Sequence, residues 1–267
     1  PSLQTTILRT IAKDPPRFMK QEYVTRLADQ VRSLKRKTGV DLVELLTNQI
    51  TETGRFTDGA IPPIFFLGRS HLMFRNSKLS RAYLEKVIGM CYSGVVSLDL
   101  SGCFQVDDSC VRHVLETCTT LETLNIRNCR KITDDTLALF TKQKKVSLRA
   151  LNVGGNFNLT EEGLQRFFDS NKFPLEELHI PGLPITDGHL ESISTRCTQL
   201  KSLSIAYADV KETSLIALCT ALGAQLISLN ISWLSSQTEA QHPQLSFSSL
   251  LELMTLHCPK VVELDVS

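Results

Sequence analysis

The sequence has little that would mark a metal site, a disulfide framework or a membrane span. Its eight cysteines include no C-x-x-C pair, so structural zinc and disulfide bonds are both disfavoured. No apolar run approaches the roughly 18 residues that a membrane-spanning helix needs. Lys and Arg number 29 against 28 for Asp and Glu, a net charge of +1, which disfavours a protein that coats nucleic acid. We therefore expect an intracellular folded protein that has no contact with a membrane.

The length of the chain, 267 residues, suits two ordinary domains or one elongated array. The chain begins at Pro1 and ends at Ser267 inside a strand-like run. We expect it to be a trimmed piece of a longer protein, truncated at its C-terminal end.

One short apolar frame recurs along the chain: apolar, two residues, apolar, one residue, apolar. Its copies start at positions 95, 121, 148, 175, 200, 226 and 261, at intervals of 25 to 27 residues until the last, which is 35. A fixed period of this size is typical of a solenoid, and Cys103, Cys129 and Asn156 stand where a leucine-rich repeat has Asn or Cys. The pattern predicts an α/β leucine-rich-repeat solenoid, a horseshoe whose parallel sheet is concave and whose helices are convex.

A second frame follows the strands and predicts where each helix starts. Its copies are Val106-Asp107-Asp108, Ile132-Thr133-Asp134, Leu159-Thr160-Glu161 and Ile185-Thr186-Asp187. The Thr or Asp can cap free backbone N–H groups, and the acid meets the positive end of the helix dipole. The cysteines fall at periodic positions in these frames, which favours packing over chemistry for them.

The domain organisation follows from where the repeats begin. Weaker copies at Leu72 and at Phe56-Thr57-Asp58 extend the array to residues 55–267, about seven to eight repeats. Residues 1–54 have helical periodicity instead and form a small helical segment. There Leu3, Ile7 and Ile11 make one apolar stripe at i, i+4 and i+8. Two interpretations remain open: the stripe binds an adaptor, or the segment only caps the first repeat.

The repeats with Cys at the strand exit and Ile-Thr-Asp at the helix start resemble the cysteine-containing leucine-rich repeats of F-box/LRR proteins. A closer resemblance is to the fungal radiation-sensitivity protein seven family, the leucine-rich-repeat subunits of the global-genome nucleotide excision repair complex. It rests on the segments at 3–11, 56–58 with 64–67, 175–180 and 258–265. The Leu3/Ile7/Ile11 stripe also resembles the BC-box of elongin-C-binding proteins, with Ile7 where that box has Cys.

The resemblance implies a nuclear, non-enzymatic substrate receptor of a ubiquitin ligase linked to nucleotide excision repair. Its implied partners are an elongin-C-type adaptor and a cullin, a Swi/Snf-type ATPase repair subunit and a protein substrate, with DNA contacted at most indirectly. The alternative is a structural leucine-rich-repeat scaffold subunit of a large assembly, which could be cytoplasmic.

No catalytic, cofactor or metal site is expected. Gly154-Gly155-Asn156 lacks the Lys-Ser/Thr of a phosphate-binding loop, and the repeat frame already explains it as a turn. Cys110, His113 and Cys118 could share a helix face but have no fourth ligand. We therefore predict that the protein is not an enzyme.

The partner-binding surface is expected on the concave face, where the second, fourth and sixth positions after each frame start point. This predicts contacts from residues Asp99, Asn125, Arg127, Asn152 and His179. Among these columns only Arg75 and Arg127 carry full positive charge, so the face lacks the basic stripe that duplex DNA requires.

Two aromatic residues complete the predicted surface. Trp233 is the seventh residue after its frame start, as Tyr207 is in the preceding repeat, so the two rings should be neighbours at the strand-exit rim. A polar insertion at 235–244 follows Trp233 and accounts for the longer last interval. Either the pair anchors a protein partner, or Trp233 packs beneath the insertion.

Overall fold

The computed structural model describes residues 28–33, 35–36, 41–52, 56–91, 94–142, 146–170, 174–234 and 255–266. The strands are β1 (His71–Met73), β2 (Ser97–Asp99), β3 (Thr123–Asn125), β4 (Ala150–Asn152), β5 (Glu177–His179), β6 (Ser202–Ser204), β7 (Ser228–Asn230) and β8 (Glu263–Asp265). The α-helices whose two ends are both described are α1 (Leu42–Glu52), α2 (Arg81–Cys91), α3 (Asp108–Thr117), α4 (Asp134–Lys142), α5 (Glu161–Ser170), α6 (Asp187–Arg196) and α7 (Glu212–Leu222), with a 3-10 helix at Pro63–Phe66; residues 28–33, 35–36 and 255–257 are helical as well. Within the described ranges, no helix has both the length and the apolar character to cross a membrane.

The strands form one parallel sheet in chain order, and each strand pairs with the next. The register sets leucine opposite leucine in every pairing, from Leu72 and Leu98 at one end to Leu229 and Leu264 at the other. These leucines are buried between sheet and helices, apart from Leu264 on the last strand. The predicted α/β leucine-rich-repeat solenoid is therefore confirmed.

The strand exits are held by the residues that the repeat pattern singled out. The thiols of Cys103 and Cys129 donate to backbone carbonyls of the preceding repeat, at 2.9 and 3.2 Å. The Asn156 amide donates to the carbonyls of Ile126, at 3.0 Å, and Val153, at 2.9 Å. Since buried carbonyls need donors, these side chains satisfy backbone that the short strands leave unpaired.

The helix starts are linked from one repeat to the next. Asp107 caps α3, as predicted, by accepting a hydrogen bond of 2.9 Å from a backbone N–H of the first turn. The following acid also caps the neighbouring repeat: Asp108 accepts from the backbone N–H of Thr133 at 2.9 Å, and Asp134 from that of Thr160 at 2.9 Å. These carboxylates therefore join successive repeats as well as meeting their own helix dipole.

The helical segment is tied to the first repeat through Asp41. Its carboxylate caps α1 by accepting from the backbone N–H groups of Val43 and Glu44, both at 3.1 Å. The Arg69 guanidinium, which comes just before β1, donates to both carboxylate oxygens, and Lys35 forms an ion pair with it at 2.7 Å. One carboxylate thus connects residues before and inside the array.

The half repeat at Phe56 departs from a full leucine-rich repeat. A 3-10 helix, Pro63–Phe66, occupies the place of its α-helix, because consecutive prolines at 62 and 63 cannot donate backbone hydrogen bonds. Phe56 packs on Phe74 with ring centroids 5.5 Å apart, and Phe66 packs on Phe74 at 5.3 Å. This aromatic cluster closes the core at the start of the array.

Candidate protein-interaction surface

The concave face carries a column of mostly small polar side chains, one from each strand. The register places them side by side, because neighbouring parallel strands lie about 4.8 Å apart. In strand order the column is Met73, Asp99, Asn125, Asn152, His179, Ser204, Asn230 and Asp265. The predicted site residues of this column are therefore brought together on one face.

Several of these side chains are already engaged within the sheet. Arg75 donates to Asp99 at 2.6 Å and Asn125 donates to the same carboxylate at 3.2 Å, which leaves Asp99 7% exposed. Asn125 and Asn152 also accept from the backbone N–H two residues ahead, at 3.1 Å in each case. These residues shape the strand exits in addition to lining the face.

His179 lies half-buried near the middle of the column. Burial lowers its pKa, and the positive charge of Arg127 acts in the same direction, while the Glu177 carboxylate opposes both. The imidazole is therefore neutral near pH 7 and can donate one hydrogen bond and accept another.

Tyr207 and Trp233 form a stacked pair at the strand-exit rim. Their ring centroids are 6.3 Å apart, their planes differ by 8°, and the two residues are 58% and 62% exposed. The two rings are therefore neighbours, as the repeat alignment predicts. Both rings face solvent, whereas most described aromatic side chains are buried, so the pair offers two large apolar anchors beside the C-terminal half of the concave face.

The backbone at this pair has an unusual conformation for aromatic residues. One position in each exit turn from β1 to β7 adopts positive φ, and most of these turns place Asn or Gly there: Asn76, Gly102, Asn128, Gly155 and Gly182. At the same position Tyr207 has φ 66° and Trp233 has φ 54°. A Cβ is strained in this region, so the repeat's own geometry does not explain two large rings here.

The eight cysteines are packed inside the fold. All eight are buried, and none forms a disulfide bond. Burial raises the pKa of Cys118, Cys129 and Cys197 to about 12 each and that of Cys110 to about 11, so at neutral pH these thiols are protonated and poorly nucleophilic. No group of three or more metal-ligating side chains occurs in the part of the chain that the structure describes.

Two predicted elements lie outside the described residues. These are the adaptor-binding stripe of Leu3, Ile7 and Ile11, and the polar insertion at 235–244.

One surface was missed by the sequence reasoning. Phe104 and Phe157 are 48% and 81% exposed on the exit loops of β2 and β4, and Arg130 lies between them on the exit loop of β3. All three are the ninth residue after a frame start, so a column at that position would have found them.

Fold and repeat pattern together define a leucine-rich-repeat solenoid. A family model described as "Leucine Rich repeat" matches residues 117–137. The fold is similar to a chain of the crystal structure of the yeast Rad7 and Elc1 complex, with a TM-score of 0.53 and 15% identity over 99% of this chain and 82% of that one. An internalin from Listeria monocytogenes aligns with a TM-score of 0.47 and 17% identity over 72% of this chain and 53% of that one. A comparison with curated proteins finds no match.

Proposed function

We propose that this protein is a non-enzymatic protein-interaction subunit, the substrate receptor of a ubiquitin ligase linked to nucleotide excision repair. The observation that carries the proposal is the exposed Tyr207–Trp233 stack beside a polar concave face. Rigid aromatic anchors next to small polar side chains are typical of binding hot spots. Strained backbone under both rings indicates that a function other than folding keeps them there.

The adaptor is proposed to bind the helical segment before the array. Leu3, Ile7 and Ile11 supply an apolar stripe of the kind that docks into a groove. The similarity to a chain of the Rad7 and Elc1 complex spans 99% of this chain, which supports an elongin-C-type adaptor. A cullin, a Swi/Snf-type ATPase repair subunit and a nuclear location complete the proposal.

A double dissociation tests both halves of this proposal. Leu3→Asp with Ile7→Asp should abolish co-purification of an elongin-C-type protein, because a charge in an apolar groove is costly, yet retain the substrate. Trp233→Ala should weaken substrate capture about tenfold or more and retain the adaptor. The readout is affinity purification of the tagged protein followed by quantitative mass spectrometry.

The matched control for the adaptor variant is Thr5→Asp with Arg9→Asp. It adds two carboxylates to the same predicted helix but off the stripe, and it should leave the adaptor bound. Purification of neither an elongin-C-type protein nor an ATPase with the wild type would overturn the ligase proposal and favour the structural scaffold.

A further inference from the structure

The exposed aromatic residues of the described chain all lie on one edge of the solenoid. They are Phe104, Phe157, Tyr207 and Trp233, and each follows the end of a strand. The other described aromatic side chains are buried, with exposures of 8% or less. Large aromatic rings are usually buried in the core of a repeat protein. Rings that stay exposed and are confined to one edge therefore indicate a binding surface.

The first two rings lie among positive charges. The exit loops of β2, β3 and β4 carry Arg127, Arg130 and Lys131, and they contain no Asp or Glu before the helix-start residues. All three cations are exposed, and none forms an ion pair with a described residue. By contrast, Arg75, which occupies the same repeat position as Arg127, is neutralised by Asp99.

The two carboxylates at the helix start that follows β2 are engaged in the fold. Asp107 accepts from a backbone N–H of α3 and from Ser109, and Asp108 accepts from Thr133. Their position at the helix starts places them behind the exit loops, on the side of the convex helices. The exit loops that present Phe104, Arg130 and Phe157 therefore carry only positive charges ahead of the helix starts.

Arg130 shows the stacking geometry directly. Its guanidinium carbon lies 5.2 Å from the centre of the Phe104 ring, a cation–π contact. Phe157 lies two strands from Phe104, about 10 Å along the sheet, and Arg130 comes from the strand between them. The edge thus alternates ring, cation and ring.

From this arrangement we infer that the edge formed by Phe104, Arg127, Arg130, Lys131 and Phe157, the exit edge, binds a single-stranded nucleic acid. Unstacked bases pack on aromatic side chains and on guanidinium planes, while the phosphates are neutralised by neighbouring cations. A duplex buries its base faces and would leave the rings uncovered. The inference departs from the expectation that DNA is contacted at most indirectly, and it is independent of the proposed ligase function.

Fluorescence anisotropy with labelled 20-nucleotide single strands of dT and rU, and with a duplex, tests this with the whole 267-residue chain. The two single strands distinguish DNA from RNA as the source. We expect single strands to bind at least tenfold more tightly than the duplex. Phe104→Ala with Phe157→Ala should lose about tenfold or more. Arg130→Glu with Lys131→Glu should lose at least tenfold and reduce the salt dependence by roughly 0.7 per cation removed.

Lys86→Glu with Arg112→Glu is the matched control. It reverses two exposed charges on the convex helices α2 and α3 and should change affinity by less than threefold. Loss of affinity equal to that of the Arg130/Lys131 variant would show unspecific attraction and overturn the inference. So would failure of the wild type to bind either single strand at 10 µM, or binding of polyglutamate with the same dependence on Phe104 and Phe157, which would assign the edge to an acidic protein.

Discussion

Asp108 and Thr133 begin neighbouring helices, and the carboxylate of the first caps the second. Asp108 accepts from the Thr133 backbone N–H at 2.9 Å and from its hydroxyl at 2.8 Å, and also from the hydroxyl of buried Thr136. A single side chain therefore satisfies three donors of the next repeat.

This link predicts a large effect of a small substitution. Asp108→Ala should lower the free energy of unfolding by about 1–3 kcal/mol, because it leaves a buried hydroxyl and a helix-start N–H without their acceptor. Asp135→Ala removes an exposed acid from the same helix start and should change it by less than about 0.5 kcal/mol. Urea denaturation compares the two; equal losses would show that charge near the helix dipole matters and the link does not.

The sheet makes a second prediction. Leu124 is 1% exposed and lies between Leu98 and Leu151, so Leu124→Ala should cost about 2–5 kcal/mol through lost burial and a cavity. Because each repeat packs only on its neighbours, amide hydrogen exchange should rise first in β2, β3 and β4. Ile227→Ala, at a residue that is 44% exposed, should cost much less, and a comparable loss there would contradict this reading of the register.

The left-handed backbone at Tyr207 predicts an inverted order of two variants. Tyr207→Gly should be more stable than Tyr207→Ala by about 1 kcal/mol, because both lose the ring but only Gly adopts positive φ without strain. At Ile216, within α7, Ala should be more stable than Gly by about 1 kcal/mol. Thermal denaturation of the four variants measures both differences. Ala above Gly at both sites would mean that position 207 is not strained.

Asp41 makes the junction before the array sensitive to acid. Burial by itself would raise its pKa, but hydrogen bonds from Arg69 and Lys35 outweigh this and hold the pKa well below its usual range. A depressed pKa adds stability above the unfolded value near 4, and that stability is lost as the pH falls towards the folded value. Asp41→Asn should therefore be less stable than wild type by about 1–3 kcal/mol at pH 7.

The difference between Asp41→Asn and wild type should persist to about pH 5 and shrink below pH 4. Urea midpoints at pH 7, 5 and 3 provide the measurement. A gap that is constant across this range would exclude the Asp41 carboxylate as its source.

The parts of the structure that could be predicted are those in which local pattern and burial coincide. Leu98 and Leu124 recur in a frame in which the leucines can point only to the buried side of the sheet. The sheet, its register and the Tyr207–Trp233 contact therefore follow from alignment of the repeats. The Asp108–Thr133 link could not be read in the same way. It depends on the distance between two helices in neighbouring repeats, whose paired strand residues are 26 positions apart in the sequence. Local sequence preferences do not set that distance.

The exit edge could not be predicted from the sequence for a different reason. Phe104 and Phe157 are apolar residues within repeats whose other apolar residues are buried, so each alone suggests core packing. Only the solvent exposure of both, with Arg130 between them, separates a surface from a core.

The links from an acid in one repeat to the backbone of another all run in one direction along the part of the chain that the structure describes. Asp58 caps Ser80, Asp108 caps Thr133, Asp134 caps Thr160 and Asp187 caps Lys211, so the acceptor always belongs to the earlier repeat. Loss of a repeat at the C-terminal side removes a donor and leaves a hydrated carboxylate, whereas loss at the N-terminal side strips a helix of its cap. Unfolding of the array is therefore directional. It proceeds more readily from the last repeat towards the first than from the first repeat towards the last.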